Sequence, residues 1–267
     1  MKLRLGFSPC PNDTFAFHAL VHGLVELPEG VEISPFIADV EELNRRALAG
    51  ELEITKLSAY ALGWVQERYQ LLDAGAALGR GCGPLVVARE ELSPEQLMQT
   101  TILVPGMLTT AHLLLGLWLG RKPRVEAVSF EKVMELVAGG QFRAGVIIHE
   151  GRFTYQGYGL RCIQDLGEWW EETTGLPIPL GVIAARRDLE DGLVRAMDQA
   201  ISTSVKMAQA NPQLSREYVR AYAQELAPDV VEAHIALYVT DYSVCLGEEG
   251  RAAVQELLSR ARAAGMF

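Results

Sequence analysis

The hydrophobic residues form short strand-like runs that alternate with segments of helical spacing. The run LRLGF, from Leu3, alternates between apolar and polar side chains, and TFAFHALVHG after it has the apolar spacing of a helix that ends at Gly23. VEISPFI predicts a second strand, with Pro35 inside it. DVEELNRRALAG predicts a helix that Asp39 caps and Gly50 ends. The alternation continues through TTILVPG and TTAHLLLGLWLG, and it predicts an α/β fold with largely parallel sheets.

Two later segments are similar to each other, GCGPLVVARE at 81–90 and PIPLGVIAARRD at 177–188. In each, Gly and Pro precede a fully apolar run, which is typical of a strand buried on both faces. About a hundred residues separate them, enough for a second α/β lobe. We therefore predict a two-lobed fold with two interlobe crossovers and a central cleft. Lobe one comprises residues 1–86 and 184–267, with C-terminal helices that include SREYVRAYAQEL at 215–226, and lobe two comprises residues 87–183.

Composition narrows the classes of partner. The 267 residues are 49% hydrophobic with a formal net charge of −10, and no basic stripe is present, so no nucleic-acid partner is expected. No apolar run is long enough to cross a bilayer, and the start MKLRLGFSP lacks the hydrophobic region of a signal peptide. We therefore expect a cytoplasmic protein without a membrane partner. Cys10, Cys82, Cys162 and Cys245 are dispersed without a CxxC pair, which argues against disulfides and zinc.

Polar residues follow four of the predicted strands. In open α/β sheets, ligands bind beyond the carboxyl ends of the strands, so these residues are candidates for one cleft. Two groups belong to each lobe: Ser8, Asn12, Asp13 and Thr14; Thr55, Lys56 and Ser58; Gly106, Thr109 and Thr110; and His149, Glu150 and Arg152.

The turn VPGMLTTA and the lysine of ITKLS are candidate sites for an anion. Thr109 or Thr110 at a helix start would present a hydroxyl and free backbone N–H groups, which suit a carboxylate. The alternative is that Thr109 only caps its own helix. Lys56 is the one cation in an apolar stretch and could meet a substrate carboxylate, or it could extend from the strand end into solvent.

Among the five histidines, His149 is the candidate for catalysis. His149 ends the apolar strand AGVII and could serve as a general base near neutral pH, or it could be structural. His18 and His22 share a helix face but lack a third ligand, so no metal is predicted. His112 and His234 are interpreted as ordinary helix residues.

The opening stretch SPCPNDTFAFHAL is interpreted as the lobe-one wall of the cleft. Its prolines fix the exit of the first strand, and Asn12, Asp13 and Thr14 are predicted to cap the helix that follows. We expect Asn12 to make a substrate hydrogen bond and Cys10 to pack rather than act as a nucleophile.

Six motifs, taken in order, resemble the 1,4-dihydroxy-6-naphthoate synthases of the futalosine pathway of menaquinone biosynthesis. They are GFSPCPNDTFAFHALVHG, ITKLS, GRGCGPLVVAR, VPGMLTTA, AGVIIHEGRFTY and DLGEWWEETTGLPIPLG. The resemblance runs to about Arg187 and is weaker in the C-terminal helices.

The resemblance implies a fold like the type II periplasmic binding proteins. It also implies a lyase that converts cyclic dehypoxanthine futalosine to 1,4-dihydroxy-6-naphthoate and releases dihydroxyacetone, without a cofactor. By motif, His149 is the proton acceptor. The substrate-binding stretches are Thr55, Lys56, Leu57 and Ser58, and Thr109, Thr110 and Ala111, to which we add Asn12 and Arg152 from the strand ends.

Two alternatives remain at this stage. One is the chorismate dehydratase of the same pathway, which has a similar fold. The other is a non-catalytic protein of this fold that binds small carboxylates, such as a solute receptor or a regulator. The missing export signal argues against the receptor and the missing DNA-binding helix pair against the regulator. The expected partner is a small anionic molecule, and the oligomeric state stays open between monomer and homodimer.

Overall fold

A computed structural model of the chain describes residues 1–223 and 227–267. The end of the helix predicted over 215–226 therefore lies outside the described residues. The strands are β1 Lys2–Phe7, β2 Glu32–Ile37, β3 Ile54–Ser58, β4 Tyr69–Leu71, β5 Ala77–Gly79, β6 Leu85–Ala88, β7 Ile102–Val104, β8 Val125–Ala127, β9 Ala144–Ile147, β10 Arg161–Asp165 and β11 Ile178–Arg186.

The helices connect these strands and cover the sheets. They are α1 Pro11–Val21, α2 Val40–Ala49, α3 Ala59–Val65, α4 Pro94–Met98, α5 Thr110–Leu119, α6 Phe130–Ala138, α7 Gly151–Thr154, α8 Leu166–Thr174, α9 Asp191–Ala210, α10 Arg216–Tyr222, α11 Pro228–Tyr238, α12 Asp241–Val244 and α13 Gly247–Ala263. Two 3₁₀ turns, Tyr155–Tyr158 and Pro212–Ser215, complete the order.

The strands form two sheets, and the chain crosses between them twice. The first sheet has the order β2-β1-β3-β11-β4, with β5 beside β11, and the second has the order β10-β6-β9-β7-β8. The chain thus leaves the first sheet before β6 and returns to it at β11. The predicted lobe boundaries at 86/87 and 183/184 fall inside these two strands, because each apolar run is itself a sheet strand and the crossing precedes it. The division into lobes at those residues stays a proposal.

Both sheets are mixed, so the prediction of largely parallel sheets is wrong. β1 runs parallel to β2 and β3, and β7 runs parallel to β8 and β9. In contrast, β6 and β11 are antiparallel to every strand with which they pair. These two strands enter from the other sheet, so the crossover that keeps successive strands parallel does not constrain their direction.

The helix starts explain how polar residues reach the strand ends. Asp39 caps α2 by accepting the Glu41 N–H at 2.8 Å, and Gly50 ends that helix in the left-handed conformation, as predicted. The predicted caps of α1 are wrong. Its N-cap is Cys10, and Asn12, Asp13 and Thr14 lie inside the helix, where Pro11 occupies the first position.

The apolar core is continuous between the sheets. One cluster of buried side chains includes Leu57 and Val182 of the first sheet together with Val86, Val104 and Val146 of the second. A second cluster packs α1 and α9 against β1. Within the described residues, no helix combines the length and the apolar content that crossing a membrane requires.

Candidate active site

A cavity lies where polar strand ends of both sheets meet. Most of the predicted site residues line it: Asn12, Lys56, Ser58, Thr109, Thr110, Ala111 and His149. The remaining wall is largely apolar and includes Ala77, Cys82, Ile148, Leu180 and Tyr238. The predicted residues Thr55, Leu57 and Arg152 are not among those that line this cavity.

Strand alternation explains the absence of Thr55 and Leu57. Successive side chains of β3 point to opposite faces, so Lys56 and Ser58 share the cavity face. Thr55 lies against Gly6, where an added Cβ would come within 2.6 Å of its hydroxyl oxygen. Leu57 is buried in the core cluster.

Arg152, which was predicted to bind substrate, contacts groups of the protein itself. Its guanidinium donates to the Gly83 carbonyl at 2.8 Å and pairs with the Asp165 carboxylate at 2.5 Å. Asp165 also caps α8. Arg152 therefore ties α7 to the segment in which the chain crosses between the sheets.

Lys56 forms a buried ion pair with Asp13. The Asp13 carboxylate also accepts hydrogen bonds from the Ser8 N–H at 2.9 Å, the Ser8 hydroxyl at 2.6 Å and the Asn12 side-chain amide at 2.8 Å. Gly181 approaches the lysine stem so closely that an added Cβ would lie 3.0 Å from Lys56 Cε. Lys56 therefore does not extend into solvent, and its charge is compensated by Asp13.

His234 of α11 extends this network. Its Nε2 lies 3.0 Å from the Asn12 side-chain oxygen. Because the Asn12 amide nitrogen donates to Asp13, the oxygen is the acceptor, and His234 carries its proton on Nε2. Burial, together with His149 and Lys56, lowers the pKa of His234 well below its usual value. This contact differs from the prediction that His234 is an ordinary helix residue, because no neighbouring residue in the sequence indicates a partner for it.

His149 stands in an unusual backbone conformation directly after β9. Its φ of 56° is the one left-handed value among non-glycine residues of the described ranges. The ring contacts Phe130 edge-on, with centroids 4.9 Å apart, and stacks at 6.2 Å on His234. Its Nδ1 lies 3.5 Å from Cys10 Sγ. The packing holds the imidazole in one orientation.

The protonation state of His149 suits a base. Burial and the positive charge of Lys56 lower the pKa of His149 to about 4, against the opposing effect of Asp13. The imidazole is therefore neutral at physiological pH. Its Nε2 is buried and has no hydrogen-bond partner in the described part of the chain.

The start of α5 provides hydrogen-bond donors for an anion. Thr109 is the N-cap, and its hydroxyl donates to the Gly106 carbonyl at 2.7 Å and accepts the His112 N–H at 3.3 Å. The Thr110 hydroxyl donates to the Leu180 carbonyl at 2.8 Å. Both hydroxyls are thus occupied, whereas the Thr110 and Ala111 backbone N–H groups have no partner among the described residues.

Helix α2 joins the two sides of the cavity. The Glu41 carboxylate accepts the Leu108 N–H, with oxygens at 3.1 and 3.2 Å. The Asn44 amide nitrogen donates to the Ser58 hydroxyl at 3.0 Å and lies 3.5 Å from the Leu108 carbonyl. Burial raises the pKa of Glu41. Because Leu108 follows β7 of the second sheet, these contacts hold the sheets together around the cavity.

The sequence matches a known protein family over nearly its whole length. The profile of a family described as menaquinone biosynthesis matches residues 3–263. The chain belongs to this family.

Two curated members of the family cover nearly the whole chain. The 1,4-dihydroxy-6-naphthoate synthase of Thermus thermophilus is 53% identical over 264 residues, which are 99% of this chain and 95% of that protein. The Streptomyces coelicolor enzyme of the same name is 44% identical over 269 residues, 99% of this chain and 94% of that protein. They confirm the predicted resemblance and the prediction of an enzyme.

Solved structures confirm the predicted fold. The protein AF1704 of Archaeoglobus fulgidus is 38% identical and superposes with a TM-score of 0.94 over 100% of this chain and 98% of that chain. The alkanesulfonate-binding protein SsuA of Xanthomonas axonopodis is 16% identical, with a TM-score of 0.72 over 99% of this chain and 93% of that chain. A Candida albicans protein with the generic periplasmic binding protein fold has a TM-score of 0.69, at 15% identity over 100% of this chain and 91% of that chain. The menaquinone-biosynthesis family therefore shares the periplasmic-binding-protein-like fold.

The described residues do not form a metal-binding site in this cavity. No group of three or more His, Cys, Asp or Glu side chains among the described residues could hold an ion.

Two contacts around the cavity were not predicted from the sequence. Asp13 pairs with Lys56, and His234 bonds to Asn12. Both Asp13 and His234 are buried and polar.

Proposed function

We propose that the chain is a 1,4-dihydroxy-6-naphthoate synthase. It converts cyclic dehypoxanthine futalosine to 1,4-dihydroxy-6-naphthoate and releases dihydroxyacetone. The observation that carries the proposal is a neutral imidazole in a cavity that also contains unpaired backbone donors. The imidazole belongs to His149, and the donors are backbone N–H groups at the start of α5. The names of the Thermus and Streptomyces relatives support the same reaction.

The aromatic carboxylate of the substrate binds at the first turn of α5. The Thr110 and Ala111 N–H groups and the positive end of the helix dipole favour an anion there. The Ser58 hydroxyl accepts from Asn44, so its own proton is available to the ligand. Lys56 contributes further hydrogen bonds, because its ammonium has three donors and Asp13 takes one.

His149 removes a proton from the substrate and thereby starts the cleavage of a carbon–carbon bond. The electrons of the broken bond pass to the departing three-carbon fragment, and the remaining ring becomes aromatic. The proton held on His149 can then return to the fragment that leaves. A positioned general base accounts for about two to four orders of magnitude in rate. The largely apolar wall excludes water from the reacting bond.

Turnover tests this function against its two alternatives. The purified protein is incubated separately with cyclic dehypoxanthine futalosine and with chorismate, and the products are separated by chromatography. We expect naphthoate and dihydroxyacetone from the first and no change in the second. Turnover of chorismate alone would identify a dehydratase, and turnover of neither would contradict both enzyme functions and favour a binding protein.

A further inference from the structure

We propose that Tyr238 is a second catalytic residue, whose hydroxyl donates a hydrogen bond to an oxygen of the three-carbon part of the substrate. This bond stabilises the negative charge that the three-carbon part acquires when the carbon–carbon bond breaks. Because it concerns the reaction in the same cavity, this role rests on the proposed function. Tyr238 is the last residue of α11 and lines the cavity.

The Tyr238 hydroxyl has no hydrogen-bond partner among the described residues, although the residue is only 7% exposed. A buried tyrosine hydroxyl usually has one. The described side-chain atoms that lack a partner and are closed to solvent belong to Asp73, His149 and His234. The Tyr238 hydroxyl is not among them, so it retains contact with the open space of the cavity that the residue lines.

Most other hydroxyls of the cavity wall already donate to the protein. Within the described ranges, those of Ser8, Thr109 and Thr110 each donate to a carboxylate or a carbonyl. The remaining two belong to Ser58 and Tyr238, and both keep a proton for the ligand. A donor without a protein partner in the wall of a cavity is available to an oxygen of whatever binds there.

Tyr238 lies on the same side of the cavity as the proposed base. Its ring and that of His149 both pack against His234, with centroid distances of 4.6 Å for Tyr238 and 6.2 Å for His149. The ligand atoms that approach His149 are therefore near Tyr238 as well. The proposed function places the substrate carboxylate elsewhere, at the first turn of α5, so the donor at Tyr238 serves the reacting end of the ligand.

Hydrogen bonds hold the end of α11 against the first sheet. The Ser243 hydroxyl donates to the Ala76 carbonyl at 2.7 Å and lies 3.3 Å from the Tyr238 carbonyl. The Thr240 hydroxyl donates to the Leu78 carbonyl of β5 at 2.9 Å. A donor that is held in place stabilises a developing charge without the cost of reorienting during the reaction.

The Tyr238 phenol acts as a donor and not as a base. Burial raises the pKa of Tyr238 above its usual value, so the phenol keeps its proton. The electron pair of the broken carbon–carbon bond passes to the three-carbon fragment, which becomes an enolate with its charge on the carbonyl oxygen. Tyr238 hydrogen-bonds to that oxygen and retains its own proton. The proton held on His149 then passes to the carbon of the fragment, which leaves as dihydroxyacetone.

Stability distinguishes a hydroxyl that serves a ligand from one that holds the fold. Tyr238→Phe keeps the ring and removes a hydroxyl without a protein partner, so the urea midpoint of unfolding should not fall. Tyr69→Phe is the matched control, because the buried Tyr69 hydroxyl donates to the Leu52 carbonyl at 2.6 Å. Its midpoint should fall. A clear fall in the midpoint of Tyr238→Phe would mean that its hydroxyl has a structural partner, and it would overturn the proposal.

Turnover and binding show which part of the ligand Tyr238 contacts. Tyr238→Phe is expected to lower kcat roughly 100-fold with little change in KM, as loss of one donor to a developing oxyanion does. Tyr69→Phe should turn over like the unmodified protein. The product 1,4-dihydroxy-6-naphthoate lacks the three-carbon part, so a calorimetric titration should give it the same dissociation constant in Tyr238→Phe and in the unmodified protein.

Two results would contradict this role of Tyr238 alone. One is a kcat of Tyr238→Phe equal to that of the unmodified protein. The other is a loss of affinity for 1,4-dihydroxy-6-naphthoate as large as the loss of kcat, which would place the hydrogen bond on the ring system. Absence of turnover by the unmodified protein would instead contradict the proposed function itself.

Discussion

Lys56 and Asp13 form an ion pair inside the protein, with side chains only 6% and 2% exposed. Removing one member of a buried pair leaves an uncompensated charge, which typically costs about 3–5 kcal/mol. We expect Lys56→Met to lower the free energy of unfolding by that order, measured by urea denaturation. The double variant Asp13→Asn with Lys56→Met should lose clearly less than the single one. Equal losses in the single and double variants would mean that the pair is not coupled.

The proposed carboxylate site at the first turn of α5 can be tested through its backbone N–H groups. Thr110→Pro removes one N–H at a first helical position where proline is tolerated, and the extended backbone of Thr109 before it suits a proline. Thr110→Val keeps the N–H and removes the hydroxyl, so it is the matched control. We expect KM for the substrate to rise about 10-fold or more in the proline variant relative to the valine variant. A substrate analogue without the carboxylate should not distinguish the two, and an equal response of both ligands would exclude this carboxylate site.

The role of His149 separates binding from turnover. His149→Asn keeps a similar volume and some hydrogen-bonding capacity, so we expect a folded protein that still binds substrate in a calorimetric titration. Turnover should fall at least about 100-fold because no group remains to take the proton. Turnover close to that of the unmodified protein would show that another residue is the base.

The two buried histidines predict how stability and activity depend on pH. The unfolded chain binds protons on His149 and His234 near pH 6.5, whereas burial keeps both neutral in the fold to lower pH. Stability is therefore full above pH 6.5 and is lost as the pH falls toward 4. Urea denaturation at pH 7 and pH 5 should show this loss, and His149→Asn should reduce it by about 1–2 kcal/mol. The proposed base, His149, would likewise act only when neutral, so kcat/KM should fall at acidic pH with an apparent pKa below 6.5. A kcat/KM that rises at acidic pH would contradict this role.

The fold was largely predictable because its signals are local. Apolar runs bounded by Gly and Pro mark the strands, and two of them mark the crossings between the sheets. The direction of β6 and β11 was not predictable, since it depends on how the chain returns from the other sheet. The lobe boundaries at 86/87 and 183/184 stay a prediction.

The residues that line the cavity were predictable where they follow strand ends, and less so where their partners are distant in sequence. A period of two along ITKLS already separates Lys56 and Ser58 from Thr55 and Leu57, and that signal was available. The pairing of Lys56 with Asp13 joins different elements, and His234 reaches Asn12 from near the other end of the chain. No local pattern encodes either contact.

The contacts of α2 with Leu108 bear on when the enzyme can work. Any movement that parts the two sheets must break the hydrogen bond that the Leu108 N–H donates to Glu41 and the contact of Asn44 with the Leu108 carbonyl. It also separates His149 from Cys10. With the sheets parted, the His149 imidazole would be in reach of water and would lack its contact with Cys10. Under the proposed function, the proton acceptor would be assembled only while the sheets are together, which would confine the cleavage step to an enclosed ligand.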